Sequence, residues 1–419
     1  MKNFSFSFLL ILVLSLYANS PAFCQWSKAF LSQGRQWPTG ASVGTKALFA
    51  GGYYYTNPYN IVTYNGVDIY DDATGQWTTA SLSTGRTRMA ATSLDSLAFF
   101  GGGGSYVNTG TIPNFTYSTR VDIYNTNTNQ WRTTELSQAR ANLVAVSAKG
   151  KVLFAGGENG TNSNLKTVDI YDIATNQWLI TQLPRLGGTR LGVTSVGSKV
   201  YFAANNLLDI YDMNTGQWET GAYPQQTIGI SGISLENRVF FAGGRLTASS
   251  DYTNRVNILN TVTNQWASAT LSAGRSDIAS VVVGNILLFA GGYGEATNTV
   301  DIYDGTSESW SSTQLPNVSG PLAGAKAGNK AFFAGNGSNT VDVYTVRSNQ
   351  TCQSVQSGNW TTTTTWDCGH VPVASDYIII NAGHVVTIPS GDNSARKITF
   401  KGGSLVYATE NSKLLIGLN

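Results

Sequence analysis

One four-residue phrase recurs seven times along the chain, and it constrains the fold more than any other feature. Val67-Asp68-Ile69-Tyr70 returns at 121–124, 168–171, 208–211 (Leu-Asp-Ile-Tyr), 256–259 (Val-Asn-Ile-Leu), 300–303 and 341–344 (Val-Asp-Val-Tyr). Apolar runs ending in small residues precede the copies: LFAGG at 48–52, AFFGG at 98–102, LFAGG at 153–157, FFAGG at 240–244 and LFAGG at 288–292, with weaker YFAAN at 201–205 and FFAGN at 332–336. A tryptophan follows most copies, at Trp77, Trp131, Trp178, Trp218, Trp266 and Trp310. A unit that returns in register at this spacing cannot bury its apolar face alone and must stack on its neighbours.

Each element of the unit has a physical role. The LFAGG run is short and apolar on both faces, as a strand buried between adjacent sheets requires. Residues of the VDIY phrase alternate faces, and both faces meet neighbouring sheets in a radial array. Gly75, Asn129, Asn176, Gly216 or Asn264 stands just before the Gln-Trp pair. Glycine and asparagine tolerate positive φ, so a tight hairpin is expected there. The repeated aspartates (Asp68, Asp122, Asp169, Asp209, Asp301, Asp342) hold one strand position in nearly every unit, which argues for a repeated structural hydrogen bond rather than calcium sites.

Apolar strand, double glycine, spaced tyrosine and tryptophan together closely resemble the Kelch-repeat family over residues 26–346. The resemblance implies four-stranded blades around a central channel. Seven copies imply seven blades. The last copy has no tryptophan strand after it, whereas Trp26 stands before any VDIY phrase, and Trp26 to Arg35 aligns without gaps on Trp77 to Arg86. The N-terminal strand is therefore expected to complete the seventh blade and remove the open edges. The fold class is all-β, a seven-bladed Kelch-type propeller closed by its N-terminal strand, with a small C-terminal β domain.

The predicted organisation is an export signal at 1–24, the propeller at 25–347, a linker at 348–356 and a second domain at 357–419. Lys2, the apolar run Phe8–Leu16 and the small residue Ala22 pattern the signal, with Gln25 as the mature start. Cys24 offers a lipoprotein reading, disfavoured by Phe23 before it. This places the protein in the periplasm, at the cell surface or in the medium, without a membrane span. Cys352 and Cys368 then remain as an even pair in an oxidising compartment, and a bridge between them is expected, worth about 3 kcal/mol on the chain-entropy model. Residues 357–388, from SGNWTTTTTWDCGHVP through GHVVTI, resemble the opening of secreted bacterial domains that lead into a β-helix.

Function is less constrained. Charged residues make up 12% of the chain and the net charge is +2, so no nucleic-acid partner is indicated. Galactose-oxidase relatives within the Kelch group hold copper with histidines and tyrosines and carry a Cys–Tyr cross-link. This propeller contains neither His nor Cys, which argues against copper oxidase chemistry, and no metal or other cofactor is expected. His370 and His384 read as hydrogen-bonding turn residues. Two features stand outside the repeat: arginines leading into the innermost strands (Arg35, Arg86, Arg140, Arg275, with Arg88 and Arg190 nearby) and long links between second and third strands in the first two units. Up-and-down topology puts both on one face. The links carry Tyr53, Tyr54, Tyr55, Tyr59, Tyr64, Tyr106, Phe115 and Tyr117. The candidate ligand residues are Arg35, Arg86, Arg88, Arg140, Arg275, Tyr53, Tyr54, Tyr55, Tyr106 and Tyr117, with no catalytic residue assigned. A monomeric, non-enzymatic propeller binding a glycan or a protein on this face is the leading expectation. The alternatives are a metal-independent sugar-modifying enzyme, like the Kelch-type sialic acid mutarotases, with Glu158 or Glu295 as base, and a purely structural envelope module.

Overall fold

The alternation written into each repeat unit appears as four antiparallel strands in the computed structural model, which describes residues 26–57, 60–108, 113–249, 251–346, 351–369, 371–373 and 376–416. The expected signal segment, Tyr59 and His370 lie outside the described residues. In the first blade the strands run Thr39–Val43, Lys46–Ala50, Gly66–Asp71 and Gln76–Ser81, from innermost to outermost. Six further four-stranded sheets follow. The seventh combines Leu322–Ala327, Lys330–Gly335 and Thr340–Thr345 with the N-terminal strand Trp26–Phe30. Closure is as the orphan tryptophan required: Trp26 pairs with Tyr344 in the register that joins Trp77 to Tyr70 and Trp131 to Tyr124.

Second strands form the core. Leu48, Phe49 and Ala50 are fully buried, as are Leu153, Phe154, Phe240, Phe241, Leu288 and Phe289. The double glycine after such a strand allows contact between blades. Gly51 has φ +64°, and a Cβ there would lie 2.2 Å from the Arg86 carbonyl of the next blade. Gly52 donates its N–H to that carbonyl at 3.0 Å, and Gly103 does the same to Arg140 at 2.9 Å. Only glycine permits this approach. At the far end of the innermost strands a relay of serines ties blades together. Ser93 Oγ donates to the Ser42 carbonyl, Ser147 to Ser93 at 2.7 Å, Ser195 to Ser147 at 2.9 Å and Ser234 to Ser195 at 2.9 Å. The expected hairpin turns have the predicted positive φ: Gly75 +70°, Asn129 +56°, Asn176 +57°, Gly216 +70° and Asn264 +56°.

Residues 349–419 form a separate unit from the propeller. Its strands pair in parallel. Tyr377–Asn381 lies between Thr351–Gln353 and Lys397–Lys401, Val385–Ile388 between Gly358–Asn359 and Ser404–Tyr407, and Gly391–Ala395 beside Ser412–Ile416. Ile378, Ile380, Val386, Ile388, Trp360 and Trp366 form the apolar cluster buried among these strands. The 348–356 segment expected as a linker is corrected: Thr351–Gln353 is the first rung, because Cys352 is fully buried against Ile378 and bridged to Cys368 with the Cα atoms 5.0 Å apart. His384 Nδ1 lies 2.9 Å from Ser354 Oγ, a turn contact of the kind anticipated.

Candidate functional site

The lead-in arginines need correcting first. Arg35, Arg86, Arg140 and Arg275 are 0–1% exposed. Each pairs with the VDIY aspartate of its own blade: Arg35 with Asp68 at 2.7 Å, Arg86 with Asp122, Arg140 with Asp169 at 2.7 Å and Arg275 with Asp301. Their terminal Nη groups also donate to carbonyls at the end of the second strand, such as Phe49 at 2.9 Å, Phe154 at 3.0 Å and Gly291 at 2.7 Å. The aspartate in turn accepts the backbone N–H of the segment arriving from the preceding blade: Ser32 at 2.8 Å, Ser83 at 2.9 Å, Ser137 at 3.1 Å and Ser272 at 2.8 Å. These four arginines are blade locks. They cannot meet a ligand, because a guanidinium without solvent access and paired inside its own blade has nothing to offer one, although each Nε is left without a partner. Burial lowers the pKa of Arg86, Arg140 and Arg275, and the aspartate opposes that shift.

The tyrosines and Arg88 behave differently. The long links of blades one and two fold into hairpins, Tyr53–Asn57 with Asn60–Thr63 and Gly104–Val107 with Asn114–Tyr117. The hairpins touch: Tyr106 N–H donates to Thr63 Oγ1 at 2.8 Å, and Asn108 Nδ2 to the Ile61 carbonyl at 3.0 Å. Their rings form a continuous edge-to-face series, with Tyr53 5.7 Å from Tyr55 and 5.3 Å from Tyr106, Tyr106 5.1 Å from Phe115, and Phe115 5.1 Å from Tyr117. Arg88 lies over Phe115 at 4.9 Å and donates to Tyr106 Oη at 2.9 Å. Tyr55 is 50% exposed. Tyr53 is buried, donates to Gln36 Oε1 at 2.9 Å, and has its pKa pushed well up by that burial. Tyr54 points to the other side of its hairpin, beside Tyr64 at 6.4 Å, and leaves the series. The structure therefore joins Tyr53, Tyr55, Tyr106, Tyr117 and Arg88 into one wall and excludes Tyr54 and the four buried arginines.

A second feature escaped the sequence reading. Two residues after each lead-in position, every blade places one residue at the mouth of the central channel with positive φ: Trp37 (+52°), Arg88 (+57°), Asn142 (+54°), Arg190 (+62°), Gly229 (+70°), Asp277 (+51°) and Gly320 (+80°). Ring neighbours are hydrogen-bonded, Asn142 N–H to the Arg88 carbonyl at 3.0 Å, Gly229 to Arg190 at 2.9 Å and Asp277 to Gly229 at 2.9 Å. A non-glycine side chain in this conformation costs about 1–2 kcal/mol, least for asparagine and aspartate. Side chains reach across the two glycine positions. Arg190 Nη1 lies 3.5 Å from Asp277 Oδ2 over Gly229, and the Tyr293 ring lies 6.3 Å from Trp37 across the blade that carries Gly320. On the other side Arg88 lies 3.9 Å from Glu158, which accepts Asn142 Nδ2 at 2.7 Å. Burial raises the pKa of Asp277, opposed by Arg190 and Ser276, and burial with the Asp277 charge raises that of Tyr293. The signal was available in the sequence as the position where bulky residues replace the glycine or asparagine that positive φ favours.

A cleft of about 490 Å³ opens beside Gln225, Arg255 and Ser268 at the outer rim of blade five, and one of about 220 Å³ lies between Trp178 and Tyr211. Neither carries a continuous ring series like that of blades one and two, so the channel mouth is the better candidate. Among the described residues no three His, Cys, Asp or Glu side chains converge as a metal site would need.

A family model described as Kelch motif matches residues 139–180, which span the lock arginine Arg140 and most of blade three. No curated protein matches the sequence. The solved structure of YjhT superposes with a TM-score of 0.52 at 16% identity, covering 68% of this chain and 99% of that one, a likeness of fold alone. With the seven closed four-stranded sheets and the repeated lock, residues 26–346 form a seven-bladed β-propeller that carries a Kelch motif match in its third blade.

Proposed function

We propose that this protein is an exported, monomeric, non-catalytic binding propeller that takes a glycan on the channel face, against the wall raised by blades one and two. The observation that carries this is the continuous series Tyr55, Tyr53, Tyr106, Phe115 and Tyr117 with the Arg88 guanidinium over Phe115. Aromatic faces with polar edges suit the alternating C–H and hydroxyl surfaces of sugars, and the hairpins hold them in place before a ligand arrives. The bridge between Cys352 and Cys368 supports export, and no described helix is long and apolar enough to cross a membrane. Against the enzymatic alternative, Glu158 is held by Arg88 and Asn142 as an acceptor, which suits binding better than proton abstraction, and Glu295 is exposed.

A glycan array probed with the propeller, followed by titration calorimetry on Tyr55→Ala and Tyr106→Ala, tests the reading. Both substitutions should weaken binding about tenfold or more, while Tyr54→Ala, on the other side of the hairpin, should not. Turnover of the bound sugar would establish the enzymatic reading instead. Binding of a protein from the same compartment with no glycan bound would replace the sugar.

A further inference from the structure

The ring at the channel mouth has a character that the tyrosine wall alone does not explain. Blades five and seven place glycine at the ring position, so the backbone there is satisfied without a side chain. Trp37, Arg88, Arg190 and Asp277 nevertheless carry large or charged groups in a conformation that disfavours them. These groups are not locks. The buried arginine–aspartate pairs close to 2.7 Å or less with side chains 0–5% exposed, whereas Arg190–Asp277 stands at 3.5 Å and Arg88–Glu158 at 3.9 Å with side chains 22–39% exposed. Loose, part-exposed pairs keep donors and acceptors for something else.

We propose that the channel mouth binds the terminal residue of a neutral sugar, its hydroxyls bridging Arg190 to Asp277 and its apolar face against Trp37 and Tyr293. This rests on the glycan reading above and names which part of the glycan enters and what chemistry it has. A sugar hydroxyl accepts from a guanidinium and donates to a carboxylate at once, so paired groups about 3.5 Å apart fit adjacent hydroxyls. The two guanidinium charges of Arg88 and Arg190 are matched by Glu158 and Asp277, and Glu295 adds another negative charge on blade six, so these groups carry no net positive charge to draw an acidic sugar. The Tyr293 ring lies 6.3 Å from Trp37 and supplies the aromatic surface on that side of the mouth. Its phenol is a hydrogen-bond donor, as in any tyrosine at neutral pH, and burial with the Asp277 charge shifts its pKa further up.

The test uses the full mature protein, methyl glycosides of neutral hexoses, neutral oligosaccharides and the corresponding uronic acids, measured by titration calorimetry. Neutral oligosaccharides should bind most tightly, methyl glycosides measurably, and uronic acids at least tenfold more weakly. Asp277→Asn should weaken both neutral ligands tenfold or more, and Tyr293→Phe severalfold, with melting temperatures near the parent's; Tyr55→Ala should affect the oligosaccharide and spare the methyl glycoside. Uronic acids binding as tightly as neutral sugars would overturn the charge argument. Oligosaccharide binding that is lost in Tyr106→Ala but unchanged in Asp277→Asn and Tyr293→Phe would overturn the mouth site and leave the wall reading standing. Failure of every glycan to bind would end both.

Discussion

Replacing Arg86 by alanine separates a lock from a ligand contact. In the parent its guanidinium pairs with Asp122 and donates to the carbonyls of Phe100, Gly102 and Arg120, all in a site 1% exposed. Removing one partner of a buried pair typically costs about 3–5 kcal/mol, because the other charge stays buried without compensation. The abandoned carbonyls add to this, and the Ser83 N–H that Asp122 accepts at 2.9 Å limits it by keeping one hydrogen bond to the carboxylate. For a propeller of roughly 320 residues the unfolding entropy near the midpoint is about 0.7 kcal/mol per kelvin, so the melting temperature should fall by about 4–8 °C. Calorimetry on the purified propeller checks this. Arg86→Met with Asp122→Leu should recover part of the loss, since a buried pair exchanged for apolar groups of similar volume is often near neutral. A single variant melting within 1 °C of the parent while losing ligand would refute the lock and return Arg86 to the surface-contact reading.

Four further outcomes are expected. Trp131→Ala should cost about 3 kcal/mol, at the low end for an aromatic truncation because the ring is half-buried against Tyr124 at 5.0 Å and Phe100 at 6.1 Å, and should leave ligand affinity intact; denaturant titration and calorimetry read the two separately. Residues 25–347 expressed alone should unfold cooperatively with the parent's β spectrum, because all seven blades close before Val346, and thiol titration of the denatured, unreduced mature protein, which starts after Cys24, should find no free cysteine. Arg88→Gly should raise the melting temperature by a degree or two through relief of positive φ while weakening glycan binding, and a variant both less stable and fully active would show that the strained side chain serves the fold instead.

How far the sequence spoke for itself differs between the frame and the face. The blade count, the closing strand, the positive-φ hairpins and the buried second strands were all legible, because each follows from a residue type repeated in register: tryptophan opposite tyrosine, glycine where backbones meet, asparagine or glycine in the turn. The lock arginines were misread for an instructive reason. Arginine leading into a strand at the top of a propeller suggests a solvent-facing cation, but the same repeat supplies the aspartate that takes it, one strand-pair away in space and 26–36 residues away in sequence. The two signals were read separately, the aspartates as structural and the arginines as functional, when one partner explains the other. Blade four supports the pairing: Arg185, from a shifted position, reaches Asp209 at 3.1 Å, and where blade five has Asn257 in place of aspartate, Thr227 stands at the arginine position.

The misreading also shows where function can be sought on such a frame. Whatever repeats in every blade is held by the needs of blade packing, so a residue type present at one position in most blades says little about a ligand, however charged it is. The ring position behaves in the opposite way. Its φ is positive in all seven blades, and hydrogen bonds join three pairs of ring neighbours, yet its side chains are Trp, Arg, Asn, Arg, Gly, Asp and Gly. Constant geometry with varied and locally unfavourable side chains means that the fold fixes the backbone while something else sets the residue. On this propeller that something lies at the mouth of the channel, where Arg88 belongs both to the ring and to the tyrosine wall.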